Sequence, residues 1–329
     1  MKKRVLITGA TGFVGYHLIE AALKQDLEVY ANVRQSSSTD HLRDLDIRYV
    51  DLDFSTVETL KQHIEEYKYD YIIHAAATTK AKNLQQYIKI NADYARNLAK
   101  ATVAATHKIE KFVFVSSLAA VGPLEMQNEI ITDNAEPKPV TFYGISKAKA
   151  EDYLSQIDGL PLIIIRPTAV YGPREKDLFI LFKSIRSGLE LYIGKQEQKL
   201  SFIYVTDLAK LIIKTLGSEI KQKAYNISDG KVYDRFSLAR YSKMALKTKT
   251  LTVQIPVGII KGVAWCLDHS YSWFNKVPTL NLDKVKELTA ANWICSIENL
   301  ERDFGYHPEY TLENGIQETI TWYKKNNWL

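Results

Sequence analysis

The sequence predicts an α/β fold: a doubly wound parallel sheet with a smaller, interleaved C-terminal domain. Two observations carry this expectation. Short apolar β-runs alternate with helix-period segments through the first half of the chain, and such alternation builds parallel sheets covered by helices on both faces. The first run, Val5-Leu6-Ile7, enters Thr8-Gly9-Ala10-Thr11-Gly12-Phe13-Val14-Gly15, whose glycines recur at every third position, and then an amphipathic helix. Glycine there lets the chain turn sharply, lets main chain approach a ligand and lets helix and strand pack closely. The helix mouth offers free N–H groups and partial positive charge, which suit a pyrophosphate.

Strands are expected, in order, at Arg4–Thr8, Glu28–Val33, Ile47–Val50, Tyr71–His74, Lys111–Ser116 and Leu162–Arg166, each a short run rich in apolar residues. The first helix is expected over Gly12–Lys24, where Phe13, Val14, Leu18, Ala21 and Ala22 recur at helical spacing. Val57–Tyr67, Leu84–Thr106 and Thr141–Ile157 follow as helices. Residues 1–173 are then the dinucleotide-binding domain and 174–329 mainly the substrate-binding domain. About 200–230 should return to the first domain's sheet, near Phe202–Val205 and Ala224–Ile227.

The 329 residues are 46% hydrophobic and 25% charged, ordinary values for a globular protein. A net charge of +5 is mild, and no basic run is dense enough to favour nucleic acid. Cys266 and Cys295 are too few for a disulfide framework and lack metal-site spacing, so a reducing, cytoplasmic setting is expected. His74, His269 and His307 sit in separate contexts without acids at ligand spacing, and no metal is expected. Met1-Lys2-Lys3-Arg4 opens like a leader, but the apolar run after it breaks at Gly9. The apolar stretch Ile255–Phe274 contains Lys261, Asp268 and His269 and reads as a packed helix, not a membrane span. A lid over a greasy pocket and a membrane-contacting surface are its alternatives.

Chemistry concentrates at Tyr143-Gly144-Ile145-Ser146-Lys147. Residues four apart share a helix face, and an ammonium beside a phenol is expected to lower its pKa from about 10. Tyr143 then becomes a proton donor or acceptor for an alcohol–carbonyl pair. Val113-Phe114-Val115-Ser116-Ser117 delivers two hydroxyls to the carboxyl edge of the sheet, where one can bond the reacting oxygen.

Glycine triplet, strand-end serine and Tyr-x-x-x-Lys, in this order, resemble the extended short-chain dehydrogenase/reductase family, also called the NAD-dependent epimerase/dehydratase family. His74-Ala75-Ala76-Ala77, Asn91, Arg166-Pro167-Thr168-Ala169-Val170-Tyr171-Gly172-Pro173 and Phe202-Ile203-Tyr204-Val205-Thr206-Asp207-Leu208-Ala209 add to the resemblance. It implies a Rossmann-like sheet, Tyr143 as general acid/base, and Lys147 acting on both the phenol and the nicotinamide ribose. It also implies Ser117, rather than Ser116, as the substrate-orienting hydroxyl. Gly9, Gly12 and Gly15 would hold the pyrophosphate, Thr11, Phe13 and Val14 would belong to the same cofactor site, and Asp51 and Leu52 would flank the adenine. Ala75, Ala76, Asn91 and Pro167 complete the implied cofactor site. Relatives often pair through the helices at Leu84–Thr106 and Thr141–Ile157, which implies a homodimer.

The second strand should end near the adenosine ribose, where a carboxylate would repel a 2′-phosphate. Here Tyr30-Ala31-Asn32-Val33-Arg34-Gln35-Ser36-Ser37-Ser38 brings no acid before Asp40. Arg34 can pair with a phosphate as a fork donor, so NADP is expected in preference to NAD. Leu118 and Ala119 follow Ser117 where sugar-nucleotide dehydratases usually carry Asp-Glu. Leu200 stands where epimerases commonly place an arginine on the substrate diphosphate, with Lys195 and Lys199 as point-charge substitutes. The expectation is therefore a reductase or dehydrogenase of a less polar small molecule, similar to dihydroflavonol-reductase-like and 3β-hydroxysteroid-dehydrogenase-like members. A sugar-nucleotide 4-epimerase and a redox-inert dinucleotide-binding scaffold are the alternatives.

Overall fold

The structure, a computed structural model, describes residues 2–273, 278 and 280–329. The strands are β1 (Arg4–Thr8), β2 (Glu28–Asn32), β3 (Ile47–Val50), β4 (Tyr71–His74), β5 (Lys111–Val115), β6 (Leu162–Pro167), β7 (Ala169–Tyr171) and β8 (Leu189–Ile193). They continue as β9 (Lys199–Leu200), β10 (Phe202–Tyr204), β11 (Lys223–Ile227), β12 (Tyr233–Asp234) and β13 (Leu251–Ile255). The helices are α1 (Phe13–Lys24), α2 (Val57–Tyr67), α3 (Leu84–Ile88), α4 (Tyr94–Ala104), α5 (Phe142–Ser155) and α6 (Asp177–Arg186). They continue as α7 (Val205–Leu216), α8 (Ser237–Leu246), α9 (Val257–Trp273), α10 (Leu282–Leu288), α11 (Glu298–Phe304) and α12 (Leu312–Lys325).

A seven-stranded sheet runs in the order β11-β6-β5-β4-β1-β2-β3, all pairs parallel. This is the Rossmann-like architecture the alternating pattern predicts. The period-2 alternation of each strand divides its apolar residues between two layers. Val5, Ile7, Val113 and Ile165 face α1 and α7, while Leu6, Ile72, Phe112 and Ile164 face α2, α4 and α5. Because every strand is parallel, their carboxyl ends share one edge, and that edge positions the site.

Three features depart from the sequence expectation. Phe202–Tyr204 pairs with β7 in a small sheet of its own, and Val205 opens α7. The free side of β6 is filled by β11, which is the expected return at Ala224–Ile227, in register from Lys223↔Ile163 to Ile227↔Pro167. The expected helix Leu84–Thr106 is interrupted by a π-helical segment, Lys89–Asp93, around Asn91. The segment Ile297–Tyr306, including α11, returns to the first layer, with Leu300 and Phe304 buried beside β11 residue Tyr225. Of the apolar stretch Ile255–Phe274, Val257–Trp273 is helical, and Phe274 lies outside the described residues.

Candidate active site

The glycine turn follows β1. Gly9 has φ +71°, and a Cβ on it would lie 2.7 Å from the Ala75 oxygen and the Ala76 nitrogen. A Cβ on Gly15 would lie 2.1 Å from the Gly9 oxygen. Only bare backbone fits, so the turn lies directly against the loop after β4. Thr8 Oγ1 accepts from the Ala76 N–H at 3.1 Å and bonds His74 Nδ1 at 2.8 Å, closing β1 onto β4. Gly12 is the N-cap of α1, with no side-chain cap bond and no acidic residue in the first turn. The N–H groups of the helix mouth thus meet no capping side chain. Thr11, Phe13 and Val14 flank that mouth, partly buried.

Tyr143, Lys147 and Glu151 fall at i, i+4 and i+8 on α5, along one face. The Thr141 side chain caps the helix by accepting from the Gly144 N–H at 3.0 Å. A Cβ on Gly144 would lie 2.3 Å from the Ala119 oxygen, so the turn after Ser117 packs directly on α5. That contact sets the Tyr143 phenol beside the Ser117 hydroxyl, which works to lower the phenol's pKa. Ser117 Oγ also accepts from the Ala119 N–H at 3.1 Å.

Burial raises the Tyr143 pKa above its usual 10.0, and the Glu287 charge adds to this against the lowering by Ser117. The expected lowering by Lys147 is overturned. Lys147 is itself buried, donates to the Val115 carbonyl at 2.7 Å and lies 4.2 Å over the Phe114 ring. Burial lowers its pKa to about 7. The phenol is therefore protonated at neutral pH.

The two serines divide their tasks. Ser116 is buried and donates to Glu151, which also receives Arg166 Nε at 3.0 Å and Nη2 at 2.6 Å. No motif singles out Glu151, and its helical spacing from Lys147 is the one readable signal for it. Asn91 is fully buried. It accepts from the Thr78 N–H at 2.7 Å and donates to the Thr78 oxygen at 3.0 Å and to Ser146 Oγ at 2.9 Å. It ties the loop after β4 to α5, and these bonds accompany the π-helical break.

The remaining candidates stand along the same strand edge. Ala75 and Ala76 are partly buried after β4, Pro167 is buried at the end of β6, and Leu52 is buried while Asp51 beside it is exposed. Arg34 is exposed after β2, with no side-chain bond to a described residue. β2 and β5 are three strand spacings apart in the sheet, so Arg34 and Ser117 stand about 14 Å apart along that edge. Nor does a motif single out Asp283 and Glu287 of α10. Asp283 Oδ2 accepts from the Phe142 N–H at 2.7 Å, which places α10 over the start of α5.

The chain is similar to known proteins along nearly its whole length. The chain is 27% identical over 334 residues to a ceramide reductase of Caulobacter vibrioides, covering 99% of this chain and 96% of that protein. It is also 27% identical over 332 residues to a UDP-glucose 4-epimerase of Vibrio cholerae, covering 97% and 95%. The solved UDP-glucose 4-epimerase of Thermotoga maritima shares the fold, with a TM-score of 0.80 at 18% identity over 98% of this chain and 99% of that one. The sequence profile of the NAD dependent epimerase/dehydratase family matches residues 5–228, from β1 through β11, and the chain belongs to that family.

Proposed function

We propose that the protein is an NADP(H)-dependent oxidoreductase that interconverts an alcohol and a carbonyl on a substrate less polar than a sugar nucleotide. The observation that carries this reading is the Tyr143 phenol set beside the Ser117 hydroxyl by the packing of Gly144 on Ala119, on the strand edge that also carries the glycine turn.

The residues fit a dinucleotide. The bare backbone of Gly9, Gly12 and Gly15 and the uncapped mouth of α1 suit the pyrophosphate. Arg34 is free to pair with a 2′-phosphate, while Asp51 and Leu52 would flank the adenine. Ala75, Ala76, Asn91 and Pro167 would border the nicotinamide half, and Lys147 its ribose. When bound, the nicotinamide supplies or accepts the hydride. In the reducing direction the Ser117 hydroxyl orients the substrate oxygen, and Tyr143 gives that oxygen its proton. Lys147, one turn along the helix and with its pKa lowered to about 7, resupplies that proton together with ordered water.

The equal identity to a reductase and to an epimerase leaves the choice to the residues. Leu200, at the position compared with the epimerase arginine, packs with the aromatic cluster of Phe202 and Tyr233. A substrate diphosphate would find no bidentate partner there. The test is purified protein with NADPH or NADH against ketosteroids, aromatic aldehydes and sugar nucleotides. Stoichiometric NADPH consumption with a carbonyl substrate is expected. Sugar-nucleotide isomerisation without net cofactor use would favour the epimerase.

A further inference from the structure

Helix α9 carries a feature that this chemistry leaves unused. Ile260 and Ala264 face inward, onto Val285 of α10 and onto Ile193 and Ile255 of the β8–β13 ribbon. The opposite side is apolar as well. Ile259, Val263 and Trp265 are 57%, 45% and 53% exposed, with Gly258, Gly262 and Cys266 exposed between them. At about 100° per residue Ile259, Trp265, Gly258, Gly262 and Cys266 span the side turned away from Ile260 and Ala264, with the His269 ring against that of Trp265 at 4.2 Å between centroids, Val263 at one flank and Lys261 at the other. A helix facing water ordinarily sets charges there, and contiguous exposed apolar surface marks an interface.

The ribbon prolongs the patch. Leu189 pairs with Leu251, Leu191 with Val253 and Ile193 with Ile255, all on one face. The last pair lies beneath α9, while Leu189, Leu191 and Leu251 emerge from it 36%, 42% and 70% exposed. Along the chain that borders the patch the exposed charge is basic. The stretch 236–267 holds Arg240, Lys243, Lys247, Lys249 and Lys261 and no Asp or Glu. Arg240 and Lys243 are paired to Asp234 and Glu190, but Lys247, Lys249 and Lys261 are exposed, as is Arg186 just before Leu189. The next acid, Asp268, is turned to the Leu282 N–H at 3.2 Å.

We propose that this face docks the protein on an anionic lipid bilayer, with Ile259, Val263 and Trp265 entering the headgroup boundary and the lysines resting on lipid phosphates. A bilayer supplies both complements at once, apolar matter for the row and negative charge for the rim. A second copy of the chain does not, because a two-fold contact sets each patch on itself and opposes the lysine rims. α9 lies on the membrane rather than through it: no helix of the described residues is long and apolar enough to cross. The inference does not depend on the reductase reading.

The test sediments the full chain with vesicles of phosphatidylcholine, with and without phosphatidylglycerol. Binding to the mixed vesicles is expected, weakening as salt rises and at least about tenfold weaker on phosphatidylcholine alone. Val263→Asp and Trp265→Asp, both at the surface, should each abolish binding with unchanged circular dichroism. Lys247→Glu combined with Lys249→Glu should weaken binding to the mixed vesicles by about tenfold or more. Failure of the wild-type chain to sediment, or undiminished binding of both Asp variants, overturns the proposal. So does light scattering that finds a dimer which Val263→Asp splits.

Discussion

The Lys147 ammonium donates to the Val115 carbonyl at 2.7 Å, so the side chain that follows the phenol on α5 also fastens that helix to the end of β5. Replacing it with methionine keeps the length but leaves a buried carbonyl unpaired, a cost of about 1–3 kcal/mol in stability. Lys147→Met is expected to lose at least about a hundredfold in turnover and to bind NADPH more weakly. Steady-state kinetics with a fluorescence titration of NADPH checks both. Wild-type turnover in this variant would remove Lys147 from the chemistry.

Tyr143→Phe deletes one oxygen. Turnover is expected to fall by about 10²- to 10⁴-fold, the range of a lost general acid, with NADPH affinity within a few-fold of wild type. Loss of cofactor binding in step with activity would instead mark Tyr143 as structural.

Arg34 sets the expected cofactor preference. Arg34→Glu places a carboxylate where the 2′-phosphate would lie, removing charge-assisted bonds of about 1.5–3 kcal/mol each. The kcat/KM for NADPH should fall by about 10- to 100-fold while that for NADH holds or rises. Equal losses for the two cofactors would place the phosphate elsewhere.

His74 titrates far from its usual pH. Burial, then the nearby Lys147 charge, lowers its pKa from 6.5 to about 3. Between those values the unfolded chain takes a proton that the folded chain refuses, so this contribution to stability, complete above pH 6.5, is lost as pH falls toward 3. The loss is on the order of a few kcal/mol. The urea midpoint should therefore fall less between neutrality and mild acid in His74→Gln than in wild type. Identical acid sensitivity in the two proteins would contradict the assignment.

Local pattern made the sheet legible. β1, β3 and β4 lie where the apolar runs place them, and β2, β5 and β6 end within a residue of expectation, because a buried parallel strand is written as a short unbroken run. Gly9 and Gly15 were readable for the same local reason: the turn between β1 and α1 leaves no room for a side chain. What escaped depends on partners distant in sequence. Nothing near Phe202 indicates that β11 will fill the free side of β6, and nothing near Asn91 indicates that Thr78 and Ser146 will engage its amide. The sign of the Tyr143 shift failed likewise, since spacing reports that two side chains share a face but not which carbonyl the ammonium will choose.

Ser116 and Ser117 point to opposite sides of an extended backbone, the first toward Glu151 and Arg166 and the second toward Tyr143. Deleting a single residue from β5 would exchange them, offering the cleft a misdirected hydroxyl and stranding an acid in the interior by the same stroke. Strand alignment and reactivity are thereby bound together, so that a change in this part of the chain spares the cleft only if it preserves the count.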